Sequence, residues 1–458
     1  MSTTYLRERR KAERISFAFP TRTSIGIIGE TVNFSRTGIR FALEKPLLST
    51  QTIPIKIDFP FSSPFESYVE IVWNKSESEN NRFLCGARFL RLQNNEEVIL
   101  KEAINKFNVL DPNFTFLTVK IRDWLVDFKA KCDQFDSMYL HDSDRNQFVE
   151  KNKFNLEMTL NAYFKNIWKT AENIIPEDYS IHLRYYQEML GYYLIDSIEI
   201  GRFMCHKPLG YAGDFMIMNY LYDYIDNYLG VSSYEKLNNS YICNTPIAYS
   251  VVERKELLKQ KILDTLAGKD SAKILSVASG SARELIELAE EGKIAKPLYF
   301  DCLDVEPEAF EYIKKSLEKI LSENKKNINI RFIQTNFLDI VKGRDIHDLF
   351  KKYDLVYSSG LFDYLSDRMT RKSIFYLFGL LDNDASLIVT NAIKDDYHRA
   401  YYEMLYGWKL IHRSEKEMLD LASEIKEKCF TEIVKLNTEK PFMFWILSLH
   451  KSPANLQA

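Results

Sequence analysis

The chain has 458 residues, of which 46% are hydrophobic and 27% charged, so we expect an ordered globular protein with more than one domain. The 61 Lys and Arg residues nearly balance the 64 Asp and Glu residues. The resulting formal net charge of −3 argues against a protein whose whole surface binds nucleic acid.

The sequence has no feature typical of a secreted, membrane or zinc-binding protein. None of the six cysteines belongs to a CxxC pair, so neither a metal site nor a disulfide framework is predicted. The basic N-terminal segment lacks the apolar stretch of a signal peptide, and the apolar run at residues 442–449 is too short for a bilayer. We therefore expect a cytoplasmic protein without a transmembrane segment.

Residues 15–93 are predicted to form a small all-β barrel. Short runs rich in Val, Ile, Phe and Thr alternate with polar, Gly or Pro breaks, which is typical of strands joined by turns. The six predicted strands are residues 15–19, 30–33, 38–43, 52–59, 68–73 and 83–90. A helix is predicted over residues 95–107, and Asp111-Pro112 ends it.

The middle of the chain, residues 113–265, changes to a helical pattern. Apolar residues recur every three or four positions, as at Trp124 and Phe128. A long helix is predicted over residues 180–204, followed by an irregular stretch at residues 206–214. We expect an all-helical domain or extension here.

The last part of the chain alternates between strands and amphipathic helices, which predicts an α/β, doubly wound, Rossmann-like parallel sheet. Its five predicted parallel strands are residues 273–278, 298–305, 329–334, 353–358 and 386–392. Residues 431–437 and 443–449 follow each other without a helix, so an antiparallel hairpin is expected to end the sheet. The predicted domains are residues 1–112, 113–265 and 266–458.

A ligand site is predicted where the first two strands of this sheet end. The first strand ends in the small residues Ala278-Ser-Gly-Ser-Ala282, which let backbone approach a ligand. Asp304 ends the second strand, where a carboxylate can accept hydrogen bonds from both hydroxyls of a ribose. An ordinary surface turn and an ordinary surface carboxylate are the alternatives. The loop has one glycine and matches neither GxGxxG nor GxxxxGK[ST], so a nucleoside without a pyrophosphate fits better than a dinucleotide.

Residues 273–282 resemble the first motif of the class I S-adenosylmethionine-dependent methyltransferases, with Gly280 at the central glycine. Ala278 and Ala282 stand where that family usually has glycine, and Ser276 where an acid is common. The segments after the third and fourth strands match the family's adenine-contacting position and its fourth-strand motif. The resemblance implies these cofactor-binding residues: Ala278, Ser279, Gly280, Ser281, Asp304, Asn336, Phe337, Ser358 and Gly360.

Two further segments, residues 207–214 and 408–415, resemble a bacterial subfamily that makes 3-hydroxypalmitic acid methyl ester, a diffusible quorum-sensing signal. The resemblance implies methyl transfer to the carboxylate of a hydroxy fatty acid or a similar small acceptor. A carboxylate is ionised at neutral pH and needs no strong general base, whereas a hydroxyl acceptor would need one.

Candidate residues for the acceptor pocket lie in and beside the segment 207–214. Tyr211 and Asp214 could line or close the pocket, and His206 could orient an acceptor. A helix-to-helix turn in which Asp214 caps the next helix is the alternative. Arg202 could pair with a substrate carboxylate or with the end of its own helix, and His398 is a further candidate for orienting an acceptor.

The N-terminal region carries two motifs that resemble the signatures of the PilZ domain, which binds cyclic di-GMP. RxxxR is matched by Arg10 and Arg14, and [D/N]xSxxG is matched by Asn33, Ser35 and Gly38. Arginines can clamp the phosphates and stack on the bases of a cyclic dinucleotide. A solvated basic tail and an ordinary polar turn are the alternatives. The resemblance implies this cyclic di-GMP site: Arg9, Arg10, Arg14, Asn33, Ser35 and Gly38.

These motifs favour a cyclic di-GMP-responsive methyltransferase that acts on a small molecule. The alternative is a non-catalytic cyclic di-GMP effector whose methyltransferase domain is degenerate. Nucleic-acid methylation is disfavoured because the composition is slightly acidic and no Lys/Arg tract flanks the predicted sheet. The sequence leaves the acceptor, the sign of regulation and the choice between monomer and homodimer open.

Overall fold

The computed structural model describes residues 20–23, 28–43, 45–57, 59, 63–77, 82–139, 141–211, 213–225, 227–322, 327–343, 352–436 and 438–451. A closed barrel, a series of helices and a seven-stranded sheet follow one another along the chain, which confirms the predicted fold class. The chain divides into two compact units, residues 1–130 with 162–193 and residues 131–161 with 194–458. The three-domain boundaries given above stay a prediction.

Six antiparallel strands close the barrel in the order β1-β2-β3-β6-β5-β4, and β4 pairs back onto β1. They are β1 (Pro20–Thr23), β2 (Ile28–Ser35), β3 (Gly38–Leu43), β4 (Thr52–Ile57), β5 (Phe65–Glu77) and β6 (Arg82–Phe89). Alternate side chains point inward, so Ile53, Ile55 and Ile57 of β4 are all buried. The predicted strand at residues 15–19 lies outside the described residues, and the sequence pattern did not predict β1.

Helix α1 (Asn94–Phe107) follows the barrel, as predicted. Phe107 is buried and meets Phe34 of β2 edge-on, with ring centroids 5.8 Å apart. The apolar face of α1 therefore packs on the barrel core.

The helical part of the chain contains seven more helices: α2 (Pro112–Met138), α3 (Asp142–Ala171), α4 (Pro176–Gly191), α5 (Glu199–His206), α6 (Phe215–Asp223), α7 (Ser233–Asn244) and α8 (Pro246–Ala267). The prediction of one continuous helix over residues 180–204 is wrong. After α4 the chain forms a π-helical turn, Tyr192–Asp196, and Ile198 is extended with φ −135° and ψ 126°. No proline marks this break, so the apolar period alone could not locate it.

The sheet has the strand order β12-β13-β11-β10-β7-β8-β9. Its strands are β7 (Ala272–Val277), β8 (Leu298–Asp304), β9 (Ile328–Gln334), β10 (Tyr353–Ser358), β11 (Leu381–Ala392), β12 (Cys429–Val434) and β13 (Phe444–Lys451). Strands β7 to β11 are parallel, whereas β13 runs antiparallel to both β11 and β12. The predicted terminal hairpin is therefore confirmed.

Helices cover both faces of this sheet. They are α9 (Arg283–Glu290), α10 (Pro307–Ser322), α11 (Phe337–Val341), α12 (Asp367–Gly379), α13 (Arg399–Tyr402) and α14 (Glu415–Leu421), with short 3-10 turns at Phe362–Tyr364 and Ser423–Lys428. Ile274 of β7 packs in a core with α8, α9 and α10, whereas its neighbour Leu275 packs in a core with α11, α12 and α14. Burial on both faces is the usual state of parallel strands. Within the described residues, no helix is both long and apolar enough to span a membrane.

Candidate functional site

A cavity of about 480 Å³ lies at the carboxyl ends of the parallel strands of the sheet. The strand order reverses between β7 and β10, and the loops that follow both strands line the cavity. Such a switch point is where open α/β sheets bind ligands. Residues of α6, α8 and the segment before α14 complete the wall. All of these elements belong to the second compact unit.

The loop after β7 has a positive φ at three alternate positions. Ala278, Gly280 and Ala282 have φ of 53°, 50° and 41°, which is the left-handed region that favours glycine. The Gly280 amide donates a 2.8 Å hydrogen bond to Oδ2 of Asp304 at the end of β8. The two sequence motifs therefore meet at one point of the cavity wall, with Ser279 and Ser281 beside them.

Asp304 is a buried carboxylate whose acceptor positions are partly filled by backbone. Its Oδ1 accepts hydrogen bonds from the amides of Val305 and Glu306, at 2.7 and 3.1 Å. A carboxylate has about four acceptor positions and three of them receive backbone amides, so Asp304 can still accept a hydrogen bond from one hydroxyl group of a ligand.

The predicted residues after β9 and β10 also reach the cavity, with one exception. Asn336 caps α11, where its Oδ1 accepts from the Leu338 amide at 2.9 Å, and the buried Phe337 follows it. Gly360, with φ of 114°, borders the cavity as well. Ser358 does not line it, because its hydroxyl donates to the Val277 carbonyl at 2.9 Å and joins β10 to β7.

The segment 207–214 brings one of its two predicted pocket residues to the cavity. Tyr211 lines the cavity and is partly exposed. Burial, together with the charges of Asp304 and Glu306, raises the pKa of Tyr211, so its phenol is a hydrogen-bond donor at neutral pH. Asp214 instead caps α6, where its Oδ1 accepts from the amides of Met216 and Ile217 at 3.0 Å each. Burial raises the pKa of Asp214.

The remaining candidate residues do not line the cavity. His206 is exposed, and its Nδ1 donates to the carbonyl of Arg202 at 2.7 Å. The Arg202 guanidinium in turn donates to the Asp196 carbonyl at 2.6 Å. His398 is buried, and its Nε2 lies 3.1 Å from Oδ1 of Asn161. The structure therefore does not place His206, Arg202 or His398 among the cavity-lining residues.

Three segments singled out in the sequence meet at one side of the cavity. A Cβ atom built on Gly213 would lie 2.5 Å from Oη of Tyr364 and 3.0 Å from the ring of Trp408. The Trp408 indole N–H donates to Oη of Tyr364 at 2.7 Å. Lys207 donates to the carbonyl of Gly407 at 3.3 Å. Gly213 is thus required by the close approach of these rings.

Arg254 and Asp363, two buried charged residues of the cavity wall, were not among the predicted site residues, although Asp363 lies in the loop of the fourth-strand motif. Arg254 of α8 lies over the ring of Phe444 at 4.3 Å and donates to Oγ1 of Thr390 at 3.3 Å. Asp363 follows β10, and its Oδ1 accepts from the Ala392 amide at 2.6 Å. Burial raises the pKa of Asp363 to about 6, although the positive charge of Arg254 favours its ionised form. Only tertiary structure brings these residues together.

The N-terminal motif forms a tight hairpin on the barrel. Asn33 and Ser35 lie at the end of β2, and the Ser35 hydroxyl accepts from the Thr37 amide at 3.3 Å. Gly38 begins β3, where a Cβ atom would lie 2.5 Å from the Ala87 carbonyl of β6. The predicted ligands Arg9, Arg10 and Arg14 lie outside the described residues.

Comparison with known proteins identifies the first part of the chain. The family model described as the PilZ domain matches residues 8–106. This part of the chain is therefore similar to the PilZ domain family. This confirms the predicted family for the N-terminal part, whereas a search of curated proteins found no match.

Several solved structures resemble part of the chain at low identity. A protein from Bordetella parapertussis described as a possible exported protein is 17% identical, covers 59% of this chain and 88% of its own, and has a TM-score of 0.46. The magnesium protoporphyrin IX methyltransferase of Synechocystis PCC 6803 with bound SAM is 15% identical, covers 44% of this chain and 81% of its own, and has a TM-score of 0.32. The N-methyltransferase NodS of Bradyrhizobium japonicum WM9 in complex with S-adenosyl-L-homocysteine is 15% identical, covers 44% of this chain and 87% of its own, and has a TM-score of 0.31. These likenesses concern the fold alone.

Proposed function

We propose that the chain is a cyclic di-GMP-responsive, S-adenosylmethionine-dependent methyltransferase. Its acceptor would be the carboxylate of a hydroxy fatty acid or a similar small molecule, and its product a methyl ester signal of the 3-hydroxypalmitate type. The observation that carries the proposal is the hydrogen bond between Gly280 and Asp304 at the strand-order reversal. It brings a carboxylate with one free acceptor position beside a loop of small residues, which suits the ribose of a nucleoside.

The cavity residues fit the cofactor in their chemistry. Asp304 would hold a ribose hydroxyl, and Asn336 and Phe337 would border the adenine. When bound, S-adenosylmethionine would supply the methyl group of its sulfonium for transfer to an acceptor oxygen, with the carbon–sulfur electron pair left on sulfur. The protein's own contribution is alignment of the acceptor and exclusion of water.

The wall of the cavity is suited to excluding water, because apolar side chains make up much of it. They include Phe215, Ile247, Val251, Leu361, Leu410 and Phe444. Tyr211 and Tyr364 line the cavity and are also partly exposed to solvent, so an apolar acceptor chain could leave the cavity beside them. An acceptor with an acidic head and an aliphatic tail fits this arrangement.

A hydroxyl acceptor is the second candidate, because Asp363 lines the same cavity. A general base should have a pKa near the working pH, and the pKa of Asp363 is raised to about 6. A carboxylate acceptor would leave Asp363 without a proton-transfer role. A hydroxyl acceptor therefore requires Asp363 as a general base, whereas a carboxylate acceptor does not.

Regulation would follow from the PilZ domain. Cyclic di-GMP bound by Arg10 and Arg14, with Asn33, Ser35 and Gly38, would alter methyl transfer if it binds two states of the chain with different affinities. The sign of the effect is left to experiment.

Calorimetric titration of the full chain tests the proposal. We expect S-adenosylmethionine to bind with micromolar affinity and cyclic di-GMP to shift that affinity. Incubation with 3-hydroxyalkanoic acids, followed by mass spectrometry, should then detect methyl esters. Absence of cofactor binding, with and without cyclic di-GMP, would refute the enzyme and favour the alternative of a non-catalytic cyclic di-GMP effector.

A further inference from the structure

Three cationic side chains line the cavity, and two of them are neutralised by carboxylates. The Lys255 ammonium lies 2.6 Å from Glu287 and 3.0 Å from Glu256. Arg283 lies 2.7 Å from Asp223 and 3.0 Å from Glu287. These ion pairs give Lys255 and Arg283 a structural role in joining α8 and α6 to α9.

The third cation, Arg254, differs from the other two. It is 4% exposed, and among the described residues no carboxylate oxygen lies within 4.0 Å of its guanidinium. Its Nη1 donates to Thr390, whereas its Nε is buried and has no hydrogen-bond partner in the described part of the chain. Its partners within the protein are therefore one hydroxyl and the face of Phe444.

A buried guanidinium with so few partners is costly to the folded protein. Removing a charge from water without an ion pair or a full set of hydrogen bonds is unfavourable by several kcal/mol. Asp363 offsets part of this cost through its charge, but it does not form an ion pair with Arg254 within 4.0 Å. An anion in the cavity would supply the missing partner.

We propose that Arg254 is the carboxylate-binding residue of the cavity. The bound carboxylate could belong to the amino-acid end of the cofactor or to the acid group of the acceptor. Both ligands come from the proposed function, on which this proposal rests. The planar guanidinium fork of arginine matches the two oxygens of a carboxylate.

Gly360 leaves the guanidinium open to such a ligand. A Cβ atom built on Gly360 would lie 3.7 Å from Nη2 of Arg254, and among the described residues other than its two chain neighbours no other atom lies within 4 Å of that position. Because Gly360 has φ of 114°, a residue with a side chain is disfavoured there. The loop after β10 therefore passes Arg254 without a side chain that would cover it.

The test compares carboxylate ligands with neutral partners of the same shape. The probes are S-adenosylmethionine against decarboxylated S-adenosylmethionine, and 3-hydroxydecanoate against 3-hydroxydecanamide, each titrated into the full chain. Arg254→Met removes the charge, Arg254→Lys keeps it without the fork, and Lys255→Met is the matched control on the same helix. The two acceptor probes are titrated with and without S-adenosylhomocysteine. Their affinities can then be measured even if the cofactor does not bind.

We expect Arg254→Met to lower the affinity for one carboxylate probe by about 10- to 100-fold, while the affinity for its neutral partner changes by less than about 2-fold. The affected pair identifies the source of the carboxylate. Arg254→Lys should recover part of the loss, and Lys255→Met should have a much smaller effect.

Two results would overturn the assignment of Arg254. One is an equal loss for a carboxylate and its neutral partner, which would indicate a structural role. The other needs no variant: a wild-type chain that binds each carboxylate no better than its neutral partner has no carboxylate site. Failure of both adenosine probes to bind would refute the proposed cofactor instead, and the acceptor pair would still decide the role of Arg254.

Discussion

Replacing Asp363 with Asn should stabilise the protein at neutral pH. In the unfolded chain this carboxyl titrates near its ordinary value of 3.8, whereas burial raises its pKa in the folded state to about 6. Between these two values the folded state holds a proton that the unfolded state has lost. Stability therefore falls as pH rises through this window and stays lower above it.

The size of the effect follows from the distance between the two pKa values. A rise of about two pH units, at about 1.4 kcal/mol each, corresponds to about 3 kcal/mol of lost stability above pH 6. Asn keeps the Oδ1 acceptor for the Ala392 amide and removes the charge. The unfolding free energy of Asp363→Asn should therefore exceed that of the wild type by up to about 3 kcal/mol at pH 7.5.

Urea unfolding of the full chain between pH 3.5 and 8 measures this difference. We expect the gain of Asp363→Asn to be absent near pH 3.5, to grow between about pH 4 and 6, and to be constant above. Asp382→Asn changes an exposed carboxylate of β11 and should show no comparable gain. A gain that is independent of pH, or a variant less stable than the wild type at pH 7.5, would refute the reasoning.

The same variant separates the two candidate acceptors. If the acceptor is a hydroxyl, Asp363→Asn removes the proposed base and methyl transfer should fall by about 100-fold or more. If the acceptor is a carboxylate, turnover should survive, because no proton has to be removed.

Three further predictions concern the two ligand sites. Asp304→Ala should weaken S-adenosylmethionine binding by about 10- to 100-fold and leave cyclic di-GMP binding intact in calorimetry. Arg10→Ala should do the reverse, and loss of both ligands in either variant would show that the sites are not independent. Gly213→Ala should lower the unfolding temperature and the cofactor affinity, because its Cβ atom would lie 2.5 Å from Oη of Tyr364. Gly379→Ala is its control, since nothing lies within 4 Å of that Cβ atom, and equal effects of both would contradict the role of the contact.

The fold was predictable because local patterns and tertiary structure agree over most of the chain. Alternating strands and helices predicted the parallel sheet, and the absence of a helix between residues 437 and 443 predicted its terminal hairpin. The pattern failed where tertiary packing decides the backbone. The break after α4 places Gly201 so that a Cβ atom would lie 2.7 Å from the Leu194 carbonyl, a contact that no helical period encodes.

The candidate site was predictable where its residues follow a strand, and in the segment 207–214 for Tyr211. Ala278 to Ala282, Asp304 and Asn336 are each marked by their position after a strand, and the sheet brings them together. Arg254 lies in the middle of an amphipathic helix, where a single arginine usually faces solvent. Its burial depends on Phe444 and Thr390, which lie at least 136 residues away in the chain. A single sequence does not indicate that residues so far apart along the chain are in contact.

Features that cost stability cluster at the cavity, and this favours a ligand-binding protein over a degenerate one. Ala278 and Ala282 adopt left-handed backbone conformations that cost roughly 1–2 kcal/mol each for a residue with a side chain. Arg254 is buried without an ion pair within 4.0 Å among the described residues, and Asp363 is ionised at neutral pH in spite of its burial. The fold itself needs none of these four features, since glycine, an apolar side chain or an amide would serve at those positions. Their common location at the carboxyl edge of the sheet indicates that they are kept for what binds there, because destabilising features persist where function depends on them.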